Sequence, residues 1–166
     1  MSESILSVIQ EAIQAGKPIV LATVIEGDEV GRKMVFAPDG EVHGTLGNES
    51  LDRVVLRDMS GELEAGRTGT RHYGLNGEAR EEELTIFIES FAPPPQMLIF
   101  GAVDFTAALV RVAKVLGYHV IVCDARPVFA TSTRFPLADA VEAQWPDKLL
   151  ESVGPSLGVR DAVCVL

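Results

Sequence analysis

Apolar residues near the N-terminus recur every three or four positions. Ile5, Ile9, Ala12 and Ile13 fall on one side of a helix drawn over residues 4–13, and Gly16 with Pro18 ends it. Residues 19–25 are continuously apolar and β-branched, which predicts a buried strand; residues 33–37 form a second short one. Pro38-Asp39-Gly40 reads as a turn, so residues 41–45 return as the other arm of a hairpin. Leu51, Val54 and Val55 line one side of a helix over residues 51–59, with Arg57 and Asp58 on its wet side and an end near Gly61. Five glycines between 61 and 77 mark residues 62–80 as turns around short strands, and residues 84–91 alternate as a closing strand.

The second half has a different rhythm. Met97-Leu98-Ile99-Phe100 is wholly apolar and runs into Gly101; residues 106–116 have helical spacing; Gly117 stops them; residues 119–123 are again apolar and end at Asp124. Strands that are apolar on both faces belong in a parallel sheet covered by helices on each side, so this is a βαβ unit. A third strand falls at residues 162–166, beyond a stretch carrying Pro127, Pro136, Pro146 and Pro155. Between the halves, Ala92-Pro93-Pro94-Pro95 is stiff and poor in backbone donors, as a linker is. The pattern therefore predicts an α/β protein with a small N-terminal α+β domain at 1–91, a linker at 92–96 and a partial Rossmann-like βαβ domain at 97–166.

Composition narrows the function classes. The chain has 166 residues, 47% hydrophobic and 23% charged, enough to bury a core. Its formal charge of −10 opposes phosphate backbones and anionic membrane surfaces. The imbalance sits in residues 1–90, which hold seventeen acidic and eight basic side chains. There is no apolar run of the roughly 18–20 residues that a bilayer span needs, nor a basic-then-apolar leader, and the expected location is the cytoplasm. Cys123 and Cys164 lie in apolar runs and read as buried thiols, and His43, His72 and His119 show no metal-binding spacing. No Ser/His/Asp or Cys/His arrangement suggests nucleophilic catalysis, so no catalytic residue and no metal ligand is assigned. Arg67, Arg71, His72 and Tyr73 read as solvated loop positions, Trp145 as a packing residue, and Glu81-Glu82-Glu83 as a hydrated turn.

In a nucleotide-binding βαβ unit, glycines let the first turn approach a pyrophosphate and an acid about twenty positions on takes the ribose hydroxyls. Gly101 and Asp124 occupy those places, and in such a site Arg126 would neutralise a 2′-phosphate. Val103 and Thr106 stand where the second and third glycines belong, and Asp104 adds a negative charge. Two readings stay open: an NAD(P)-binding oxidoreductase-like domain, or a Rossmann-like scaffold with an altered turn.

The string from Gly101 to Asp139, with its LGY at 116–118, Asp124, Arg126 and RFP at 134–136, resembles the Rossmann domain of the xanthine dehydrogenase accessory proteins, the XdhC/CoxI family. Gly31 and Met34, Asp39-Gly40, Gly44-Thr45-Leu46-Gly47 and Leu51-Asp52 follow that family's N-terminal landmarks in order. The resemblance implies an accessory protein or chaperone, not an enzyme. It would bind molybdenum cofactor and serve a molybdenum hydroxylase such as xanthine or carbon monoxide dehydrogenase. The implied cofactor contacts are Gly44, Thr45, Gly47 and Asn48 in the first domain and Gly101, Ala102, Asp104, Asp124 and Arg126 in the second. The chain departs from the family pattern at Ser50, where a cysteine is usual, at residues 79–83, which replace a Cys-Gly-Gly element, and in the acidic Glu26-Gly27-Asp28-Glu29 loop. A non-binding structural or regulatory paralogue is the remaining alternative. The apolar strand at 162–166 leaves a sheet edge, which predicts a homodimer or else a fragment or one half of a split protein.

Overall fold

A computed structural model describes residues 4–78 and 83–166. The chain folds as two compact units, Met1–Pro93 and Pro94–Leu166.

The first unit is built on an antiparallel sheet. Its elements are α1 (Ile5–Gln14), β1 (Ile19–Glu26), β2 (Lys33–Phe36), β3 (Val42–Gly44), α2 (Glu49–Ala65), β4 (Gly69–Tyr73) and β5 (Leu84–Phe91). Five strands lie in the order β3-β2-β1-β5-β4, so β5, the closing strand of the unit in sequence, lies inside the sheet between β1 and β4. Alternation along β1 sends Val20, Ala22 and Val24 to one face, where they meet Leu51, Val55 and Met59 of α2. Ile19 and Leu21 point the other way, against Ile9 of α1.

Helix α2 runs six residues beyond the Met59 that the sequence predicts, and Gly61 does not stop it. A glycine inside a helix costs about 1 kcal/mol relative to alanine. Continuing the helix buries Leu63 and Glu62, which outweighs that. The stop is Gly66, whose φ of 64° is the left-handed cap that receives the chain after Ala65. Beyond it, Arg71, His72 and Tyr73 belong to β4 and not to a glycine-rich loop. The described residues omit 79–82, so the expected turn at Glu81-Glu82-Glu83 lies mostly outside them.

The second unit is a parallel sheet with helices on both faces. Its elements are β6 (Gln96–Phe100), α3 (Thr106–Val115), β7 (His119–Cys123), β8 (Ala140–Glu142), α4 (Pro146–Val153) and β9 (Ala162–Val165). The four strands are ordered β8-β7-β6-β9. Met97, Ile99, Val120 and Val122 pack with Val110 and Ala113 of α3. Leu98, Phe100, Ile121 and Cys123 pack with Leu149 of α4. The βαβ reading therefore holds, and β8 and α4 are added to it. Trp145 precedes α4 and is 69% exposed, so it is not the packing residue expected. Because the chain builds outward from β6 to β8 and then returns to β9 on the far side, its direction reverses at β6. Doubly wound sheets bind ligands outside the carboxyl ends of the strands at such a reversal. Among the described residues, no helix is long and apolar enough to cross a membrane.

Candidate functional site

The first glycine loop joins β3 to α2. Gly44 has a φ of 86°, and a Cβ there would sit 2.3 Å from the Lys33 carbonyl oxygen, so the residue is glycine because β3 lies close on β2. Asp52, one turn into α2, reaches back and organises the loop. Its Oδ2 accepts from the Thr45 hydroxyl at 2.6 Å and its Oδ1 from the Leu46 amide at 2.8 Å. The Gly47 amide donates to Thr45 Oγ1 at 3.2 Å. Asn48 caps the helix by accepting from the Leu51 amide at 3.0 Å, and its Nδ2 donates to the Leu75 carbonyl at 2.8 Å.

The sequence points to Gly44, Thr45, Gly47 and Asn48 as ligand contacts, and the structure brings the four together at one helix entrance. The main-chain donors of Leu46 and Gly47 are already engaged within the loop. Among the described residues, the amides of Asn48, Glu49 and Ser50 make no hydrogen bond, as first-turn amides do when left for solvent or ligand. Gly47 has open space where a side chain would project.

Arg67 lies in the exposed loop between α2 and β4, as expected, whereas Arg71 belongs to β4. Both grip the buried carboxylate of Glu62: Arg67 Nε donates to Oε2 at 3.0 Å, and Arg71 Nη2 donates to Oε1. The Arg71 hydrogen bond, working against burial, holds the Glu62 carboxyl below its ordinary range. Tyr73 is buried and donates to Asp58 at 2.9 Å; burial first, then that carboxylate, raises its phenol well above the usual value. His72 Nδ1 lies 3.1 Å from the Thr85 hydroxyl, which donates to Glu26 at 2.7 Å. These contacts are structural ties between β4 and its neighbours.

The second glycine turn leaves β6. Gly101 has a φ of 119°, and a Cβ there would lie 2.7 Å from the Leu166 carbonyl oxygen. Asp124, at the end of β7, is buried and accepts from the Ala102 amide at 2.8 Å and the Arg126 amide at 2.9 Å. Arg126 also grips it with Nε at 2.9 Å and Nη2 at 2.8 Å. That guanidinium, opposed by desolvation, holds the Asp124 carboxyl far below the usual range. The Val103 amide donates to Thr106 Oγ1 at 3.1 Å, and Thr106 Oγ1 donates to the Gly101 carbonyl at 2.6 Å. Thr106 is fully buried, so the residue in the third-glycine position staples the turn internally.

These contacts test the fit to a dinucleotide. The two amides that would cradle a pyrophosphate, those of Ala102 and Val103, are both used within the protein, so the turn does not fit that group. Asp124 is likewise engaged and is not a free acceptor for ribose. Asp104 is completely exposed, 3.8 Å from Arg134 Nη2. A hollow of about 220 Å³ opens beside the turn, between Ala102, Val103, Asp104, Arg126, Phe129 and Arg134. The Phe129 ring centroid is 4.5 Å from the Arg126 guanidinium carbon and 5.5 Å from that of Arg134. Sequence reasoning missed Phe129, since a lone aromatic between prolines carries no periodic signal.

The fit to molybdenum cofactor divides by chemistry. The open amides at residues 48–50 suit an anionic group. For the metal there is no matching donor set: the described residues hold no cluster of three His, Cys, Asp or Glu side chains that could ligate an ion. Cys123 is buried with its sulfur 3.2 Å from the Gln144 carbonyl, and burial pushes its thiol pKa up, away from the reactive thiolate.

A small mixed unit with a glycine loop feeding a helix, followed by a parallel unit with a glycine turn, defines a class of two-part α/β proteins. Residues 12–74 match the XdhC and CoxI family, and residues 97–166 match the XdhC Rossmann domain; the chain belongs to the XdhC and CoxI family. It is 34% identical over 70 residues to a probable xanthine dehydrogenase subunit from Bacillus subtilis (strain 168), an alignment covering 42% of this chain and 21% of that protein. The chain thus matches only about a fifth of that relative's length. A crystal structure of a xanthine dehydrogenase from Bacillus halodurans aligns over 98% of this chain and 74% of its own, with 17% identity and a TM-score of 0.44.

Proposed function

We propose that this chain is a maturation factor for a molybdenum hydroxylase of the xanthine or carbon monoxide dehydrogenase type, holding molybdenum cofactor for its client without turning over a substrate. The observation that carries the reading is the entrance to α2. There Asp52 and Asn48 fix the loop so that the amides of Asn48, Glu49 and Ser50 stand open beside Gly47. Family membership supports the same reading.

Three neighbouring amides at the positive end of a seventeen-residue helix attract a phosphate or another anionic group. Glu49 opposes that attraction, so affinity comes from main-chain donors and shape. When bound, the cofactor would supply the molybdenum chemistry that the client uses; among the described residues no cluster of His, Cys, Asp or Glu side chains could hold the metal.

The test is reconstitution of a molybdenum-free hydroxylase with isolated cofactor, with and without this chain, reading molybdenum content and active fraction. Both are expected to rise several-fold with the chain present. Glu49→Pro removes one open amide at a position where helices accept proline, while Glu49→Ala keeps the amide and removes the charge. The proline variant is expected to retain less cofactor than the alanine variant. Equal retention by the two, or no gain from the wild-type chain, would remove the proposal.

A further inference from the structure

We infer that the hollow beside Asp124 takes a ribose bearing a 2′-phosphate, and that Arg126 selects it against an unmodified ribose. In a doubly wound sheet the acid at the end of the second strand accepts from the ribose hydroxyls. Here that acid already carries four hydrogen bonds, two of them from the Arg126 side chain. A ribose 2′-hydroxyl entering the hollow meets a guanidinium in place of a carboxylate. A phosphate on the same oxygen meets the partner that suits it.

Three further features fit this ligand. Arg126 is 59% exposed and Arg134 34%, so both guanidiniums have donors left for a dianion. Both are also held: Arg126 by Asp124, and Arg134 by the carbonyls of Ala102 at 3.0 Å and Phe129 at 3.2 Å, with the Phe129 ring near each. Fixed arginines recognise phosphate at little further entropic cost. The hollow, about 220 Å³, lies below the range of about 300–1,000 Å³ for sites that enclose a whole drug-sized ligand. Together with the occupied Ala102 and Val103 amides, that size favours a phosphorylated ribose over an entire dinucleotide. Asp104 is the opposing charge, and because it is fully exposed, water screens it.

This inference is independent of the molybdenum reading, and its test uses different ligands. Calorimetric titration of the full chain with adenosine 2′-phosphate, adenosine 5′-phosphate, adenosine and inorganic phosphate should place the 2′-phosphate first, by at least tenfold over the 5′-isomer. Asp104→Asn, which removes a screened charge, should change 2′-phosphate binding by less than about twofold. Arg126→Ala exposes the Asp124 carboxylate, so it should weaken 2′-phosphate binding at least tenfold and strengthen adenosine binding. Arg126→Lys, keeping the charge without the fork, should fall between. The inference is overturned if adenosine 2′-phosphate does not bind at millimolar concentration, if the 5′-isomer or bare phosphate matches it, or if Arg126→Ala leaves the ratio to adenosine unchanged. Melting curves identify any variant that fails to fold, and for Arg126 the lysine variant then decides.

Discussion

The two glycine turns solve one problem in opposite ways. Each joins a strand to a helix, and in each a carboxylate gathers donors from the turn: Asp52 in the first unit, Asp124 in the second. Asp52 is held by neutral donors alone, the Thr45 hydroxyl and the Leu46 amide. Asp124 is held by a guanidinium as well, so its charge is cancelled and an arginine faces the hollow. The first turn therefore offers main-chain donors with acids nearby, and the second has used its main-chain donors and offers side-chain cations. A glycine-rich turn before a helix does not by itself define an anion site; the partner of the neighbouring acid decides which groups remain free.

The comparison breaks most readily at Gly44. With a φ of 86° and only 2.3 Å between a new Cβ and the Lys33 carbonyl, Gly44→Ala should cost about 3 kcal/mol or more. Urea unfolding should show the lost stability, and amide exchange should place it in β2 and β3. Next in size, Asp124→Asn leaves the Ala102 amide an acceptor but removes the charged partner of Arg126, a loss of about 2 kcal/mol.

That substitution also carries a pH signature. The folded-state pKa of Asp124 lies below its unfolded value, so its stabilisation is complete above the unfolded value of about 3.9 and is lost as pH falls through the depressed folded value. Acid unfolding of the second unit below pH ~4 should accordingly be shallower in Asp124→Asn than in the wild type. The smallest effect is expected at Gly47, where a Cβ meets nothing within 4 Å and only the φ of 146° is at stake. Gly47→Ala should cost about 1 kcal/mol, and a loss as large as that of Gly44→Ala would show that the loop is packed more tightly than its geometry indicates.

Periodicity located the elements that carry strong apolar patterns: α1, β1, β2, β5, β6, α3, β7 and β9. It failed where the signal is short or interrupted. Strand β8 has three half-buried residues, and α4 buries only Leu149 behind a proline at its start, so neither presents a stripe. Gly61 read as a stop because local propensity says nothing of Glu62, whose burial depends on Arg67 and Arg71 arriving from beyond the helix. At the second turn, Gly101, Asp124 and Arg126 were legible by spacing, while the engagement of Asp124 was not. Whether a carboxylate is free or held depends on approach in space, and the Ala102 amide that it accepts from lies 22 positions away.

The strand order of the second unit also bears on how the chain matures as it is made. Strand β6 gains β7 after a single intervening helix, but its other neighbour comes much later; the Gln96 to Asp161 contact beside β9 spans 65 positions. Closing so long a loop adds entropy that local contacts do not repay, so this pairing forms late. Until it does, one edge of the wholly apolar Met97-Leu98-Ile99-Phe100 stands unpaired, and an unpaired apolar edge is adhesive. A nascent chain halted short of residue 162 would present that edge to whatever it met, so a protein proposed to shelter another's cofactor itself needs sheltering during synthesis.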